Sequence, residues 1–385
     1  MSKKYLVKLT PHDKFFFGGE NTFGVGKQRN YFVKSNYFPQ QTTLLGLVRY
    51  QLMVQNKNGI FNDGKIQKPK DASDLINHKS FDINDTEFSF GKIQELSPVF
   101  IANEKNEFLF PANKEYQWID KDEDEKEIND FVFREFNKVD GESSFSKKFI
   151  PCLEKYNPKL DLPDLLVNKN LSLMKYYDYD KDKELKKDPH NGIFVEYQQT
   201  GIRKNYKGIT EDNAYYVQTF YKLDKGYSFA FILELDDSIK IESQNVVILG
   251  GEQSKFKMDV TYAPDKFKNL LPNYEQSKNS DKVVLVSDAY VSNEIFNNCS
   301  FAVTDTVDFR SIKSSVNTTN YAGMDLKGIK TDVLSKSSKY NFFKKGSVFY
   351  GENISKITSH LDVKNAIKKI GYNHYKIVDK EGSKL

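Results

Sequence analysis

The hydrophobic period of this chain changes near its N-terminus, and the change points to a fold that mixes strands with helices. Residues 4–10 alternate apolar and polar side chains, with Val7 and Leu9 on one side, as in a half-buried strand. A glycine-rich stretch at residues 17–27 then predicts a loop. Leucines and valines at helical spacing follow and predict a helix over residues 41–54.

Short apolar segments separated by turn residues continue along the chain. The clearest pair, residues 215–223 and 227–235, flanks a turn signal at residues 224–226 and predicts a β-hairpin. The other predicted elements are a hairpin at 99–102 and 108–110, strands at 245–249, 283–286, 301–303, 347–350 and 374–378, and a short helix at 363–370. Together they indicate an α+β fold whose antiparallel sheets are covered on one face by helices.

A chain of 385 residues is long enough for two domains of ordinary size, and one domain with large insertions is the alternative. A polar, proline-punctuated stretch at residues 261–282 predicts a linker, so we expect one domain over residues 1–275 and a second over residues 276–385. Residues 112–190 are charge-dense and are interpreted as a large insertion in the first domain, with some helix around residues 128–136. The acidic run within the insertion, residues 120–127, predicts a solvated, peripheral segment.

Charge is distributed unevenly, although the formal net charge is only +4. Residues 1–60 carry nine Lys and Arg against two acids, and residues 333–385 carry eleven Lys against four acids, a net +7 in each segment. Two basic ends on one surface would form a positive face able to contact phosphates. The ordinary charged surface of a lysine-rich protein explains the same composition, so charge alone leaves both interpretations open.

The sequence carries no signal of a membrane or secreted protein. Its longest apolar runs are far shorter than the roughly 20 residues of a membrane helix, and Lys8 interrupts the N-terminal segment before a signal-peptide core forms. We therefore expect a cytoplasmic protein. The two cysteines, Cys152 and Cys299, have neither disulfide-framework nor zinc spacing, so we expect reduced thiols and no bound metal.

No catalytic motif is recognisable. The pair Gly26-Lys27 lacks the neighbouring glycine and hydroxyl of a phosphate-binding loop, and neither a zincin helix nor a nucleophile elbow is present. His12-Asp13-Lys14 follows the first predicted strand, and metal-independent RNA cleavage can use a histidine with a lysine. A histidine in a polar loop is more commonly solvated or held by a structural hydrogen bond. We predict a protein that is not an enzyme and has no cofactor.

Several sequence blocks resemble the RAMP proteins of CRISPR systems, and most closely the family of the third subunit of Cmr-type, or type III-B, effector complexes. The blocks are residues 9–23, a Pro-polar-Thr-x-x-Gly-x-x-Arg helix at 38–49, a Gly-Ile-basic segment at 201–203 with 214–216, Leu-Gly-Gly-Glu within 247–252, and Gly-Ser-Val-aromatic within 345–350. They keep the family's order over most of the chain. The insertion matches no part of the family.

The resemblance implies two ferredoxin-like (RRM-like) RAMP domains and a non-catalytic, RNA-binding subunit of an antiviral defence complex. Such a subunit grips the 5′ handle of the guide RNA (crRNA) in a cytoplasmic ribonucleoprotein. Its protein partners are the large polymerase-like subunit and a backbone RAMP subunit. Three alternatives stay open: the handle-binding subunit of a type III-A complex, a RAMP endoribonuclease that processes guide RNA precursors, and a protein-only scaffold.

The start of the first predicted helix supplies one set of candidate RNA-binding residues, because a helix N-terminus offers free backbone amides to a phosphate. The candidates are Lys34, Ser35, Asn36, Gln40, Gln41 and Thr42, together with Arg49 of the same sequence block. Helix capping explains these polar residues equally well.

An acid-free basic segment with one aromatic residue supplies a second set, suited to phosphates and a splayed base. It consists of Arg203, Lys204, Asn205, Tyr206 and Lys207. A solvated loop is the structural alternative. Gly250 and Gly251 complete the candidates, because glycines permit close backbone approach to RNA or, alternatively, to another strand.

Overall fold

The structure is a computed structural model. It describes residues 2–18, 21–23, 31–62, 64–85, 89–114, 116–117, 132–133, 137–139, 150–152, 166–170, 173–174, 193–204, 207–208, 210–263, 265–272, 282–316 and 335–378. Over these residues the fold is α+β, with mostly antiparallel sheets and few helices. Within the same ranges no helix is long and apolar enough to cross a membrane.

The chain divides into two compact units that interleave along the sequence. The first unit contains residues 1–76, 91–107 and 175–266, and the second contains residues 77–90, 108–174 and 267–385. The domain boundary near residue 275 and the placement of the insertion in the first domain stay predictions.

The strands are, in chain order, β1 (Ser2–Pro11), β2 (Asn21–Phe23), β3 (Tyr31–Lys34), β4 (Phe61–Asn62), β5 (Lys65–Ile66), β6 (Ile93–Leu96), β7 (Phe100–Ala102), β8 (Phe108–Pro111), β9 (Tyr116–Gln117), β10 (Val132–Phe133), β11 (Asn137–Val139), β12 (Ile150–Cys152), β13 (Leu166–Val167), β14 (Leu173–Met174), β15 (Phe194–Lys204), β16 (Thr210–Leu223), β17 (Ser228–Asp236), β18 (Gln244–Ile248), β19 (Lys255–Tyr262), β20 (Lys282–Leu285), β21 (Phe301–Val303), β22 (Thr306–Phe309), β23 (Ile312–Lys313), β24 (Ser335–Lys336), β25 (Tyr340–Phe343), β26 (Val348–Tyr350) and β27 (Tyr375–Val378). The α-helices are α1 (Gln41–Val54), α2 (Pro69–Ile76), α3 (Phe267–Leu270), α4 (Ile354–Asp362) and α5 (Asn365–Lys369), and Asn293–Asn298 form a 3₁₀ helix.

An antiparallel sheet, here called the core sheet, forms the buried centre of the first unit. Its strands lie in the order β7-β17-β1-β19-β18, and β6 also pairs with β17. The predicted first strand is confirmed as the central strand β1, where Val7 pairs with Phe231 on one side and with Val260 on the other. Val7 and Leu9 are completely buried. The alternation in the sequence therefore marks the side of β1 that lies in the core.

A second sheet of the first unit, here called the hairpin sheet, has the strand order β15-β16-β3-β2. β15 and β16 form a long antiparallel hairpin in which Phe194 pairs with Leu223 and Lys204 pairs with Thr210. β3 adds to β16 in parallel.

The predicted hairpin of residues 215–223 and 227–235 is wrong in its pairing, although both segments are strands. β16 pairs with β15, whereas β17 pairs with β1, β6 and β7. The turn is present, since the N–H of Tyr227 donates to the carbonyl of Asp224. This turn connects a strand of the hairpin sheet to a strand of the core sheet. The prediction failed because a turn sequence specifies a local bend and does not specify which strands pair.

The helix predicted over residues 41–54 is confirmed as α1. Leu44, Val48 and Leu52 recur every four residues and are buried, so they form the apolar face that the sequence indicates.

The C-terminal sheet of the second unit has the antiparallel order β21-β26-β20-β27, and its four strands match the predicted ones. Both faces of β20 are buried. Ile357 and Leu361 of α4 pack with Val283 on one face, while Val284 packs with Val348 on the other. The helix predicted at 363–370 contains α5. The helix before it, α4, is capped at its N-terminus by the side chain of Asn353, which accepts a hydrogen bond from the N–H of Lys356.

Part of the predicted insertion is built from short strands. β10 pairs with β9, so the helix predicted around residues 128–136 is wrong at Val132–Phe133, where a β-branched and an aromatic residue favour extended backbone. Leu166 and Val167 are buried and pair with β8. The acidic run at residues 120–127 lies outside the described residues.

Candidate nucleic-acid interface

The segment that follows β1 brings two of the predicted RNA-binding segments together. The carbonyl of Phe16 accepts a hydrogen bond from the N–H of Gly251 (2.7 Å). The N–H of the next residue, Phe17, donates to Oγ of Ser35 (2.9 Å). The glycine pair and residues 34–36 are therefore neighbours in the fold, although they are far apart in the sequence. We call this region the junction.

Lys34 is the cation of the junction. Its Nζ lies 3.6 Å from Oε2 of Glu196, whose side chain is buried, whereas the Lys34 side chain is 56 % exposed. Burial lowers the pKa of Lys34, but the Tyr221 hydroxyl and the Glu196 carboxylate outweigh it and raise the pKa overall. Lys34 is therefore charged at neutral pH and held by a fixed partner.

Ser35 and Asn36 secure the chain as it leaves β3. The hydroxyl of Ser35 also donates to the carbonyl of Asn36 (2.9 Å), and Ser35 is buried. The N–H of Asn36 donates to the carbonyl of Gly18 (2.7 Å). These bonds give both residues a structural role in the junction.

The N-terminus of α1 lies directly after the junction. Gln40 is the N-cap residue, and its side chain makes no capping hydrogen bond. Gln41 is buried, and its Nε2 donates to the carbonyl of Ser97 (2.8 Å). Thr42 is half-buried. Side-chain capping by Gln40 therefore does not explain this polar run.

Arg49 lies apart from these residues, roughly 12 Å along the axis of α1 from Gln41. Its Nε donates to the carbonyl of Ile76 (2.9 Å), the last residue of α2. A guanidinium in this position satisfies a terminal carbonyl and complements the helix dipole. The structure thus gives Arg49 a role in joining two helices.

Gly250 and Gly251 pack closely against the protein's own backbone. Gly250 has a φ of +83°, and a Cβ there would lie 2.5 Å from the carbonyl oxygen of Phe16. Glu252 and Gln253, which follow, also have positive φ. The close approach that the glycines permit is therefore made to residue 16, while both glycines remain solvent-exposed.

The predicted basic segment lies at the end of the β15–β16 hairpin, which we call the tip. Arg203 and Lys204 are the last residues of β15, and Lys207 is exposed in the connection to β16. Asn205 and Tyr206 lie outside the described residues. Lys204 is six residues along β15 from Gln198, roughly 20 Å in extended chain.

The tip and the junction are therefore separate along the hairpin. Lys34 pairs with Thr219, and Thr219 pairs with Gln198, so the junction lies beside Gln198. The structure brings residues 34–36 and the glycine pair together, and residues 40–42 follow shortly after them along the chain. The basic tip lies at the far end of the same hairpin.

Exposed aromatic residues on this hairpin are absent from the predicted set. Ile202 and its partner Tyr215 are 44 % and 57 % exposed. On the opposite face the ring of Tyr216 lies across Gly201, where a Cβ would be only 2.0 Å from the ring. These residues are not evident from the sequence as long as β16 is expected to pair with β17. The sequence signal for them is the mixed apolar and polar run from residue 194 to residue 202, which a glycine-containing connection follows.

His12 is held by a structural contact, since its Nε2 lies 2.9 Å from the carbonyl oxygen of Asn245. The neighbouring Asp13 forms an ion pair with Lys222 (2.5 Å). Over the described ranges, no group of three or more His, Cys, Asp and Glu residues is arranged to hold a metal ion.

Comparison with known sequences defines the class of this protein as CRISPR-associated. The chain belongs to the CRISPR-associated protein (Cas_Cmr3) family, which it matches over residues 7–379. This result confirms the resemblance to the third RAMP subunit of Cmr-type, type III-B complexes. No curated protein sequence matches the chain significantly.

Solved structures similar to this chain come from type III complexes. Two are chains of the cryo-EM structures of the type III-B Cmr-beta bound to cognate target RNA, without and with AMPPnP (state 1). Their identities are 16 % and 15 % and their TM-scores 0.46 and 0.44, with 98 % of each chain covered. A chain of the Csm3–Csm4 subcomplex of the type III-A interference complex is 12 % identical, with a TM-score of 0.35, and the match covers 90 % of this chain and 92 % of that one.

Proposed function

We propose that this chain is a non-catalytic RNA-binding subunit that grips the 5′ handle of the guide RNA and docks the large polymerase-like subunit. The observation that carries the proposal is the basic tip of the β15–β16 hairpin. No acidic residue occurs from Tyr197 to Thr210, while Arg203, Lys204 and Lys207 lie in that interval. Clustered cations without acids attract a phosphate backbone. Membership of a CRISPR-associated family supplies the biological context.

The proposal includes protein partners in a cytoplasmic ribonucleoprotein, namely the large subunit and a backbone RAMP subunit. One face of the hairpin sheet supports a protein contact, because Phe32, Ile202 and Tyr215 are exposed there together. Exposed apolar groups on one surface are typical of docking sites.

Two ferredoxin-like domains are part of the same proposal. In the C-terminal sheet the first strand, β20, lies between the third and the fourth, β26 and β27, and the second, β21, is outermost. This order is that of a ferredoxin-like sheet and supports the proposal for the C-terminal half.

The proposal is tested by changing Arg203, Lys204 and Lys207 together to Ala. Each phosphate contact contributes about 0.7 to 0.9 to the steepness with which the logarithm of the binding constant falls with the logarithm of the salt concentration. We call this steepness the salt slope; binding of guide RNA should weaken, and the salt slope should decrease by about two to three. The melting temperature should stay close to that of the wild type, because single charges at the end of a hairpin contribute little stability.

A matched control changes three exposed lysines of the core-sheet region, Lys240, Lys255 and Lys257, to Ala. Their removal should leave the slope unchanged. If the tip variant keeps the wild-type slope in the assembled complex, the handle does not bind at the tip.

The endoribonuclease alternative is tested by incubating the purified chain with repeat RNA. The contact of His12 with Asn245 favours the non-catalytic proposal. Site-specific cleavage without metal, abolished by His12→Ala, would show that the chain is an enzyme.

A further inference from the structure

One face of the β15–β16 hairpin gathers two lysines around a tyrosine. The register places Tyr197 beside Phe220 and, one position further from the tip on this face, Val195 beside Lys222. Lys14, which follows β1, reaches the same face, and its Nζ lies 4.6 Å from the centroid of each of the Tyr197 and Phe220 rings. Nζ of Lys222 lies 5.3 Å from the Tyr197 centroid. Two ammonium groups therefore converge on one ring, which is 45 % exposed.

Lys14 forms no ion pair among the described residues, although, besides the hydrogen bond from Lys222, its charge helps to lower the pKa of the neighbouring Asp13. The remaining contact of Lys14 is Oε1 of Gln199, at 2.5 Å, and within the described ranges no carboxylate lies at ion-pair distance from its Nζ. Lys222 pairs with Asp13, and this hydrogen bond lowers the pKa of Asp13. Both side chains of that pair are exposed, so water screens it. The face therefore keeps an uncompensated positive charge beside its aromatic rings.

Neutral hydrogen-bonding and aromatic side chains continue this face toward the tip. Gln199 pairs with Gln218, and Gly201 pairs with Tyr216, each pair roughly 6.8 Å beyond the last. Tyr216 covers Gly201 and is 37 % exposed. We call this surface the Lys–Tyr face; it consists of Lys14, Tyr197, Gln199, Tyr216, Gln218 and Lys222.

Cations, amides and an exposed ring arranged in a line are the groups that hold a single-stranded nucleic acid. Cations contact phosphates, amides bond to base edges, and aromatic rings stack on bases. The opposite face of the hairpin differs, because its cation, Lys34, is paired with the buried Glu196, and because large apolar side chains are exposed there beside the polar Gln198 and Thr200. That face suits a protein, whereas the Lys–Tyr face suits an anion with planar bases.

We infer that the Lys–Tyr face binds a single-stranded segment of the guide RNA, with Lys14 and Lys222 on phosphates and Tyr216 stacked on a base. The inference rests on the proposed RNA-binding function. It adds a site that contains none of the candidate RNA-binding residues named from the sequence, on the face of the same hairpin opposite to Lys34.

The test uses the full chain with single-stranded guide RNA that carries its 5′ handle, and with the same RNA annealed to a full-length complement. Changing Lys14 and Lys222 together to Gln should lower the salt slope for the single strand by about 1.4, because each phosphate contact of a single strand adds about 0.7. Tyr216→Leu should weaken single-strand binding about tenfold and leave duplex binding unchanged, because paired bases are not free to stack on the ring.

Two control variants accompany these. Lys257→Gln removes a half-exposed lysine that is paired with Asp259 in the core sheet, and it should bind like the wild type. Lys14→Arg keeps the cation and should retain the slope. Thermal unfolding establishes that each variant folds.

The outcomes separate this inference from the proposed function. If the tip variant loses affinity while the Lys14/Lys222 and Tyr216 variants bind like the wild type, the inference is wrong and the proposed function stands. If the wild-type chain binds no single-stranded RNA, both are wrong. If the Lys14/Lys222 variant binds RNA normally but no longer assembles with the other subunits, the face docks a protein and the inference is overturned.

Discussion

Strand β17 of the core sheet and strand β16 of the hairpin sheet both carry aromatic residues, but β17 buries all of its own, whereas β16 exposes two of them. Phe229 and Phe231 of β17 are completely buried, whereas Tyr215 of β16 is 57 % exposed. One short turn separates these two strands in the sequence. Both strands are paired on two sides, β17 with β1 and with β6 and β7, and β16 with β15 and β3, so strand pairing does not account for the difference.

The difference teaches that neither aromatic content nor strand pairing identifies a core; the side chains that pack on each face of a sheet do. In the core sheet, aromatic side chains contribute to the free energy of unfolding through packing. Tyr215 and Tyr216 of the hairpin sheet are available to a ligand, so their loss should change binding far more than folding. The experiments below test this division, in order of decreasing expected effect on stability.

The largest effect is expected from Phe229→Ala. The Phe229 ring lies 5.3 Å from that of Phe15 and 5.7 Å from that of Phe38, so truncation leaves a cavity among rings. The free energy of unfolding should fall by about 3–5 kcal/mol, measured by urea denaturation. A loss of about 1 kcal/mol or less would show that the core sheet is not packed as described.

An intermediate effect is expected from Gly250→Ala, with Gly208→Ala as its matched control in the hairpin. Both glycines have positive φ, which costs an alanine roughly 1–2 kcal/mol. At Gly250 the new Cβ also lies 2.5 Å from the carbonyl oxygen of Phe16, whereas at Gly208 no residue that the structure describes comes within 4 Å. Gly250→Ala should therefore lose at least about 1 kcal/mol more than the control. Equal losses would show that the contact with Phe16 is easily relieved.

The smallest effect on stability is expected from Tyr215→Ala. The residue is exposed and lies outside the core, so the free energy of unfolding should change by less than about 0.5 kcal/mol. Co-purification with the other subunits should be weakened, because Tyr215 belongs to the face proposed to dock a protein. Unfolding at markedly lower urea would place Tyr215 in the core and contradict the comparison.

Local features of the fold were predictable from the sequence, and long-range pairing was not. α1 was predicted with the bounds observed because Leu44, Val48 and Leu52 lie within one helix and repeat at its period. The pairing of β16 was not predicted, because it depends on two distant segments. Residues 194–204 pair with β16, and β1 pairs with β17 in the place that β16 was expected to take.

The candidate site divides in the same way. The basic residues of the tip are close together in the sequence and can be recognised there. Lys14 and Lys222 are far apart in the sequence, and only the register of the strands brings both to Tyr197. Some motif residues have a packing role that sequence does not reveal. A Cβ on Gly346 of the Gly-Ser-Val block would lie 2.4 Å from the carbonyl oxygen of Ala112.

The central position of β1 has a consequence for synthesis on the ribosome. Leu9 pairs with Phe229, so the first strand emerges roughly 220 residues before its partner. At about 5–20 residues per second, β1 waits roughly 10–45 s before the core sheet can close. During that interval Val7 and Leu9 are exposed on the nascent chain, where chaperones bind such segments. Folding of the first unit is therefore expected to be completed only after β19, whose Met258 also pairs with Leu9, has left the exit tunnel.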